Sequence, residues 1–315
     1  MISGALLLAP TVASHSAQQS QVKLPSKSPE PVVLKVTITD KSGGFVTGLQ
    51  TTNLEVSIDK KPAQIVSLSQ TDEPVSVGIL LDSSGSASKR STEQTARDFL
   101  KVRAALGRFL ASSNKANDYF LMGFNTKPQL LSDWTSDPAT IIGKFDHLVV
   151  SGSTALYDAC YVAINKLQGA RHSKRALILM SDGQDNLSRY TFNELRDFLR
   201  ETDVLLYAIH FPDSVDVGSS LGMEGMGILD ELSFISGGKS FWNKDGAALE
   251  LKHANAVFEI IAMELRNQYR LSIVSNEPLV TKKWHKVKVK VNLPHDVRPQ
   301  FKGVSARTRE GFYAR

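Results

Sequence analysis

The run Val75-Ser-Val-Gly-Ile-Leu-Leu81 constrains this chain more than any other stretch. It is apolar and partly β-branched, without the alternation of a half-exposed strand, so both of its faces need cover. Tyr119–Phe124, Ala176–Met180 and Val204–Ile209 share that character. Between and after them lie helical patterns. Phe99, Val102, Leu106 and Phe109/Leu110 give the first helix its core stripe, and others are expected at about Ala139–Phe145, Ala155–Gln168, Phe192–Arg200, Leu229–Ile235 and Ala247–Arg266. Buried strands alternating with helices at this spacing predict an α/β domain with a doubly wound, mostly parallel sheet and helices on both faces. Gln129-Leu-Leu131 and Ser240–Trp242 read as short additional strands.

The flanks have a different texture. Val33–Ile38, Leu54–Ile58 and Ile65–Leu68 are short strands separated by turn signals at Asp40–Gly44 and Asp59–Pro62. Strands return after Arg266, at Tyr269–Val274, Trp284–Val291 and Gly303–Arg307. So small a leading sheet cannot close a core unaided. Residues 31–73 and 269–315 are therefore expected to join in a small β-sandwich, with the α/β domain 74–268 inserted between them.

Residues 1–17 read as a secretory signal, a short apolar core followed by small residues, although the usual basic start is missing. Residues 18–30 are polar, carry Ser and Pro, and read as a linker. No later stretch approaches the ~18 apolar residues of a membrane span. The single Cys160 excludes an intramolecular disulfide and lies on an apolar helix stripe, which predicts a packed, inert thiol. Export without disulfides suits a bacterial envelope. Residues 276–315 hold ten Lys/Arg against three Asp/Glu. In Lys286-Val-Lys-Val-Lys-Val291 the lysines share one strand face and the valines the other, so a solvated sheet face is expected there and no nucleic-acid partner.

Asp82-Ser-Ser-Gly-Ser86 follows the first buried strand at once. Asp82, Ser84 and Ser86 alternate, so a short loop can turn three hard oxygen groups to one side. They stand at the carboxyl edge of the sheet, where α/β proteins bind ligands. Hard oxygens in a compact loop suit Mg²⁺, while a plain tight turn is the competing reading. Thr154 lies in a second Gly/Ser loop just before a helix, and Asp182 ends the strand run Ala176–Met180.

Together, Asp82-x-Ser84-x-Ser86, Thr154 and Asp182 resemble, in order and context, the metal-ion-dependent adhesion site of von Willebrand factor type A domains. The resemblance runs from about Val75 to Arg266. The whole chain is also similar to a bacterial, acidobacterial-type group of von Willebrand factor A-related proteins, through Val36-Thr-Ile-Thr-Asp40-Lys-Ser-Gly43 and the basic stretch Arg307–Tyr313. The resemblance implies hydroxyl ligands at Ser84, Ser86 and Thr154, and carboxylates at Asp82 and Asp182 that act directly or through water. It implies Mg²⁺ or Mn²⁺ as the cofactor and an antiparallel edge strand, which Gln129–Leu131 could supply. Neutral hydroxyls leave the cation underneutralised, so it seeks an Asp or Glu carboxylate from a protein partner. The expected function is an exported, metal-dependent, adhesion-like binding module.

Two rivals belong to other classes. One is a structural envelope component in which the metal only orders loops; the other is a metal-dependent hydrolase. An aspartyl-phosphate enzyme needs a second acid where this chain has Ser84, and a serine hydrolase needs Gly-x-Ser-x-Gly, which neither Ser84 nor Ser86 provides. No enzyme is therefore expected. Asp158 reads either as an orienter of the Thr154 loop or as a partner of its helix dipole. Asp185 and Asn186 read as exposed loop residues, His210 as a structural histidine, and Asp213–Gly227 as a rim that sets partner choice or a plain connector.

Overall fold

The computed structural model describes residues 30–85, 92–210, 219–242, 251–293, 301 and 303–314. The chain opens with strands β1 (Val32–Asp40), β2 (Leu54–Ile58) and β3 (Lys61–Gln70). An α/β region follows, with β4 (Val75–Asp82), α1 (Thr92–Ser112), β5 (Asp118–Phe124), β6 (Pro128–Thr135), α2 (Pro138–Gly143) and α3 (Leu156–Gln168). It continues through β7 (Lys174–Ser181), α4 (Phe192–Glu201), β8 (Val204–His210), α5 (Ser220–Ser236), β9 (Lys239–Phe241) and α6 (Leu251–Asn267). Four strands close the chain: β10 (Tyr269–Ser275), β11 (Trp284–Val291), β12 (Val304–Arg307) and β13 (Gly311–Tyr313).

The α/β sheet has the order β6-β5-β4-β7-β8-β9, parallel except for β6, which runs antiparallel to β5 at one edge. Its apolar runs are covered on both faces. Val77, Ile79 and Leu81 of β4 pack with α1 and α6, whereas Leu80, Leu177 and Leu179 pack with α3, α4 and α5. Cys160 is wholly buried in the second of these cores, and burial pushes its thiol pKa up.

The flanking strands form one antiparallel sheet of seven, in the order β12-β1-β10-β3-β2-β11-β13. It is a single curled sheet where two stacked layers were expected. β12 and β13 stand at opposite ends of the order, yet only Thr308–Glu310 separates them. Full extension of so short a link spans about 14 Å, so the sheet has to curl until its ends approach. Leu34, Val36, Ile38, Val56, Tyr269 and Leu271 fill the inside. Along β11 the lysines are exposed and Val289 is buried, as alternation dictates.

A buried polar knot joins the two sheets. Glu264 of α6 accepts from Tyr207 of β8 at 2.8 Å, from Thr37 of β1 at 3.2 Å and from Arg307 of β12 at 2.6 Å. Among the described residues no helix is long and apolar enough to cross a membrane. The signal-like residues 1–17 and nearly all of the linker lie outside the described residues.

Candidate metal centre

The loops that follow β4 and β7 and lead into α3 are laced together by main-chain bonds. Ser83 N and Oγ both donate to Phe124 O, at 2.8 and 3.0 Å. Ser151 N donates to Ser83 O at 3.0 Å, and Gly85 N to Gly152 O at 2.8 Å. A Cβ on Gly85 would stand only 3.1 Å from Gly152 N, so this approach favours glycine. The segment into α3 carries Thr154, whose N donates to Asn186 Oδ1 at 2.9 Å and whose O accepts from Asn186 N and Leu187 N at 3.0 and 3.1 Å. Asn186 belongs to the loop that holds Asp182. Three segments far apart in sequence thus make one bonded rim at the carboxyl edge of the sheet.

Asp82, Ser84, Thr154 and Asp182 all lie in that rim. Asp82 Oδ1 accepts from Ser84 N at 2.9 Å, and Oδ2 from Ser181 Oγ at 2.8 Å. Burial holds the Asp82 carboxyl above the usual carboxylate range, opposed by the hydrogen bonds from Ser84 and Ser181. Ser84 is buried, and Asp182, half-buried, accepts from Gln184 N at 2.9 Å. Neither carboxylate lies freely in solvent. Ser86 lies outside the described residues.

Thr154 supplies the most telling observation. It is fully buried, and its Oγ1 has no hydrogen-bond partner among the described residues. An unmet buried hydroxyl costs about 1–3 kcal/mol, so most such groups find a partner. The same rim holds the Asp82 carboxyl, which burial penalises when charged. A hard cation would relieve both, and the donor set of hydroxyls and carboxylates fits Mg²⁺ or Mn²⁺. Among the described residues no three His, Cys, Asp or Glu side chains cluster, so any cation here would lean on hydroxyls as well as on Asp82 and Asp182.

The profile of the von Willebrand factor type A domain matches residues 77–184, a stretch that contains all five candidate ligands. The chain carries a von Willebrand factor type A domain. Similar solved structures include the PilB minor pilin from Streptococcus sanguinis, at 15% identity and TM-score 0.49, over 63% of this chain and 62% of the pilin. The vWF domain of the type V pili tip protein Mfa5 from Porphyromonas gingivalis is similar at 13% identity and TM-score 0.44, over 67% of this chain and 99% of that domain. BatB from Bacteroides thetaiotaomicron is similar at 16% identity and TM-score 0.42, over 61% of this chain and 100% of that one. The match therefore spans less than two thirds of the pilin. Comparison with curated proteins finds no match.

Several residues of the A domain have roles that their local sequence hides. Asp185 and Asn186, expected as exposed loop residues, do lie in a loop, Asp185 half-buried and Asn186 exposed, and they also brace the start of α3 from outside it. Asp185 Oδ1 accepts from Tyr157 N at 3.2 Å, while Asn186 holds Thr154. Their signal was the Asx pair just past a strand-ending Asp-Gly; their targets, some 30 residues away, gave none. Asp158 is buried and accepts from Arg189 N and Tyr190 N at 2.9 and 3.0 Å, so it orients the loop after β7 rather than Thr154 itself. His210 ends β8, and burial pushes its pKa down to about 4, which keeps it neutral.

The largest departure is α5. It starts at Ser220, where Ser219 Oγ caps it by accepting from Gly222 N at 3.0 Å, not near Leu229. Gly222, Gly225 and Gly227 weaken helix propensity and disguise it. The reason for two glycines is close packing. A Cβ on Gly225 would lie 2.3 Å from Asp182 O, and one on Gly183, whose φ is +83°, would lie 2.2 Å from Gly225 O. The second turn of α5 therefore rests directly on the main chain of Asp182. Within the expected rim Asp213–Gly227, residues 213–218 lie outside the described residues and 220–227 are helix.

Proposed function

We propose that this chain is a protein-interaction module that holds Mg²⁺, or Mn²⁺, at Asp82, Ser84, Ser86, Thr154 and Asp182 and offers it to an Asp or Glu carboxylate of a protein partner. The observation that supports this reading is the buried Thr154 Oγ1, without a hydrogen-bond partner among the described residues, in a rim shared with Asp82 and Asp182. Hydroxyls fill part of the coordination without adding charge, and Mg²⁺ keeps several waters that an incoming carboxylate can replace. The residues would hold and present the ion; no bond-making step is assigned to them. We also propose export to the envelope, cell surface or medium, on the signal-like pattern of residues 1–17.

Thermal unfolding of the full chain in Mg²⁺, Mn²⁺ or EDTA tests the cation. A ligand that binds only the folded state at 100 times its Kd adds about 2.7 kcal/mol. Wild type is expected to melt higher in either cation than in EDTA, and Asp182→Ala to be indifferent. A wild-type Tm that ignores millimolar Mg²⁺ and Mn²⁺ contradicts the proposal. For the structural rival, in which the ion only orders the loops, partner capture would persist in chelator.

A further inference from the structure

We propose that Asp185 and Ser188, which cap α3 from another loop, are positioning residues that set this site's choice of Mg²⁺ over the larger Ca²⁺. The inference rests on the cation reading above and adds to it what fixes the size of the site.

Helix α3 begins without a cap of its own. Its N-cap residue is Ala155, which has no side-chain acceptor for the free N–H groups of the first turn. The acceptors come from the loop after β7. Tyr157 N donates to Asp185 Oδ1 at 3.2 Å, and Asp158 N to Ser188 Oγ at 3.0 Å. Ser188 Oγ donates in turn to Asp185 Oδ1 at 2.5 Å, so one hydroxyl ties the two contacts together. The helix answers with Asp158 Oδ1, which accepts from Arg189 N and Tyr190 N at 2.9 and 3.0 Å.

Each strand of this clasp leads to a candidate ligand. Thr154 closely precedes Tyr157, and its N donates to Asn186 Oδ1 at 2.9 Å. Asp182 closely precedes Asp185, and its Oδ1 accepts from Gln184 N at 2.9 Å. Thr154 and Asp182 therefore cannot shift relative to one another without straining the bonds between their segments. The carboxylates about the clasp are Asp82, Asp158, Asp182, Asp185 and Glu224, of which Asp158 is paired with Arg189 at 3.2 Å. Their field attracts any divalent cation and selects no radius. Stiffness does select. Mg²⁺ demands near-octahedral oxygens at about 2.0–2.1 Å, whereas Ca²⁺ accepts looser geometry at about 2.3–2.6 Å. Ligands held at a fixed spacing can be strict about the ion; slack ones admit the larger.

Isothermal titration of Mg²⁺ and of Ca²⁺ into the chelator-stripped full chain tests this. Ser188→Ala removes the shared hydroxyl, half-buried in its loop, without changing charge. Its Mg²⁺ affinity is expected to fall about tenfold, the scale of losing a group that orients a metal ligand, while Ca²⁺ binding holds or rises. Ser188→Thr should restore the wild-type ratio. Asp185→Asn removes a charge and keeps an acceptor, so it should weaken both ions alike. Wild-type Mg²⁺ affinity in Ser188→Ala, an equal loss of both ions, or no Ca²⁺ binding at all by that variant overturns the clasp and leaves the cation reading standing. A ratio shifted as far by Asp185→Asn assigns selectivity to charge and overturns the clasp too. A wild type silent to Mg²⁺ overturns the cation reading and the clasp with it.

Discussion

Thr154 and Lys174 are both buried, and each carries a cost that a substitution can reveal. Thr154→Val keeps the shape and removes the unmet hydroxyl. The metal-free protein should be as stable as wild type or more so, by about 1 kcal/mol, while cation affinity falls about tenfold. Denaturant unfolding in EDTA reads the first effect and a metal titration the second; a loss of stability in EDTA would mean that the hydroxyl has a protein partner. Lys174 is a simpler case, since nothing ties it to the site. Its Nζ donates to Leu265 O, and burial pushes its pKa down to about 8. Below about pH 8 it is charged in folded and unfolded chains alike, and folding bears the full penalty. Between about 8 and 10.5 the unfolded chain holds the proton better, so the folded state gains stability as pH rises. Lys174→Met should therefore stabilise the protein at pH 7 by about 1–3 kcal/mol, an advantage that fades by about pH 10.5. Denaturation curves across that range check both sign and window.

At the scale of the element, α5 is a strut. Its 17 residues span about 25 Å. One end rests on Asp182 through Gly225. The other ends at Gly237, φ +81°, where a Cβ would lie 2.5 Å from Arg309 N and where Arg307 Nη1 donates to Gly237 O at 2.8 Å. Gly225→Ala should push the Asp182 loop aside and weaken cation binding while the fold persists. Gly237→Ala should cost at least about 1 kcal/mol from the left-handed backbone alone. Comparing Mg²⁺ affinity with unfolding free energy separates the two; Gly225→Ala with wild-type affinity would contradict the strut. The same helix shows where sequence reading stops. The buried runs of β4, β7 and β8 were legible because burial on both faces writes itself into every residue. The place of Asp82, Ser84, Thr154 and Asp182 at the carboxyl edge was legible because each stands at a strand end or before a helix. The start of α5 was not, because Gly222, Gly225 and Gly227 disguise it, and Gly225 answers to the main chain of Asp182, some 40 residues earlier. Nor were the roles of Asp185 and Asn186, whose targets lie on another element. The curl of the flanking sheet was hidden too, since it follows from strand order, which local alternation does not encode.

Across the whole molecule, Glu264 ties α6 and β8 of one sheet to β1 and β12 of the other. A buried carboxylate with three partners on separate elements should make the two units unfold as one. Glu264→Leu leaves Arg307 without its buried partner and should cost about 3 kcal/mol or more. It should also split a single denaturation transition in two; one unchanged transition would show that the units couple by other means. Asp203, just before β8, adds ion pairs to Lys35 of β1 and to Arg309 between β12 and β13. The central claim is that the carboxyl-edge loops hold a cation through Asp82, Thr154 and Asp182. Isothermal titration of Mg²⁺ into chelator-stripped protein tests it most directly. Wild type should give one saturable site, Thr154→Val the same site more weakly, and Asp82→Asn and Asp182→Asn no heat while remaining folded. A silent wild type, or aspartate variants that titrate as wild type does, would contradict the account.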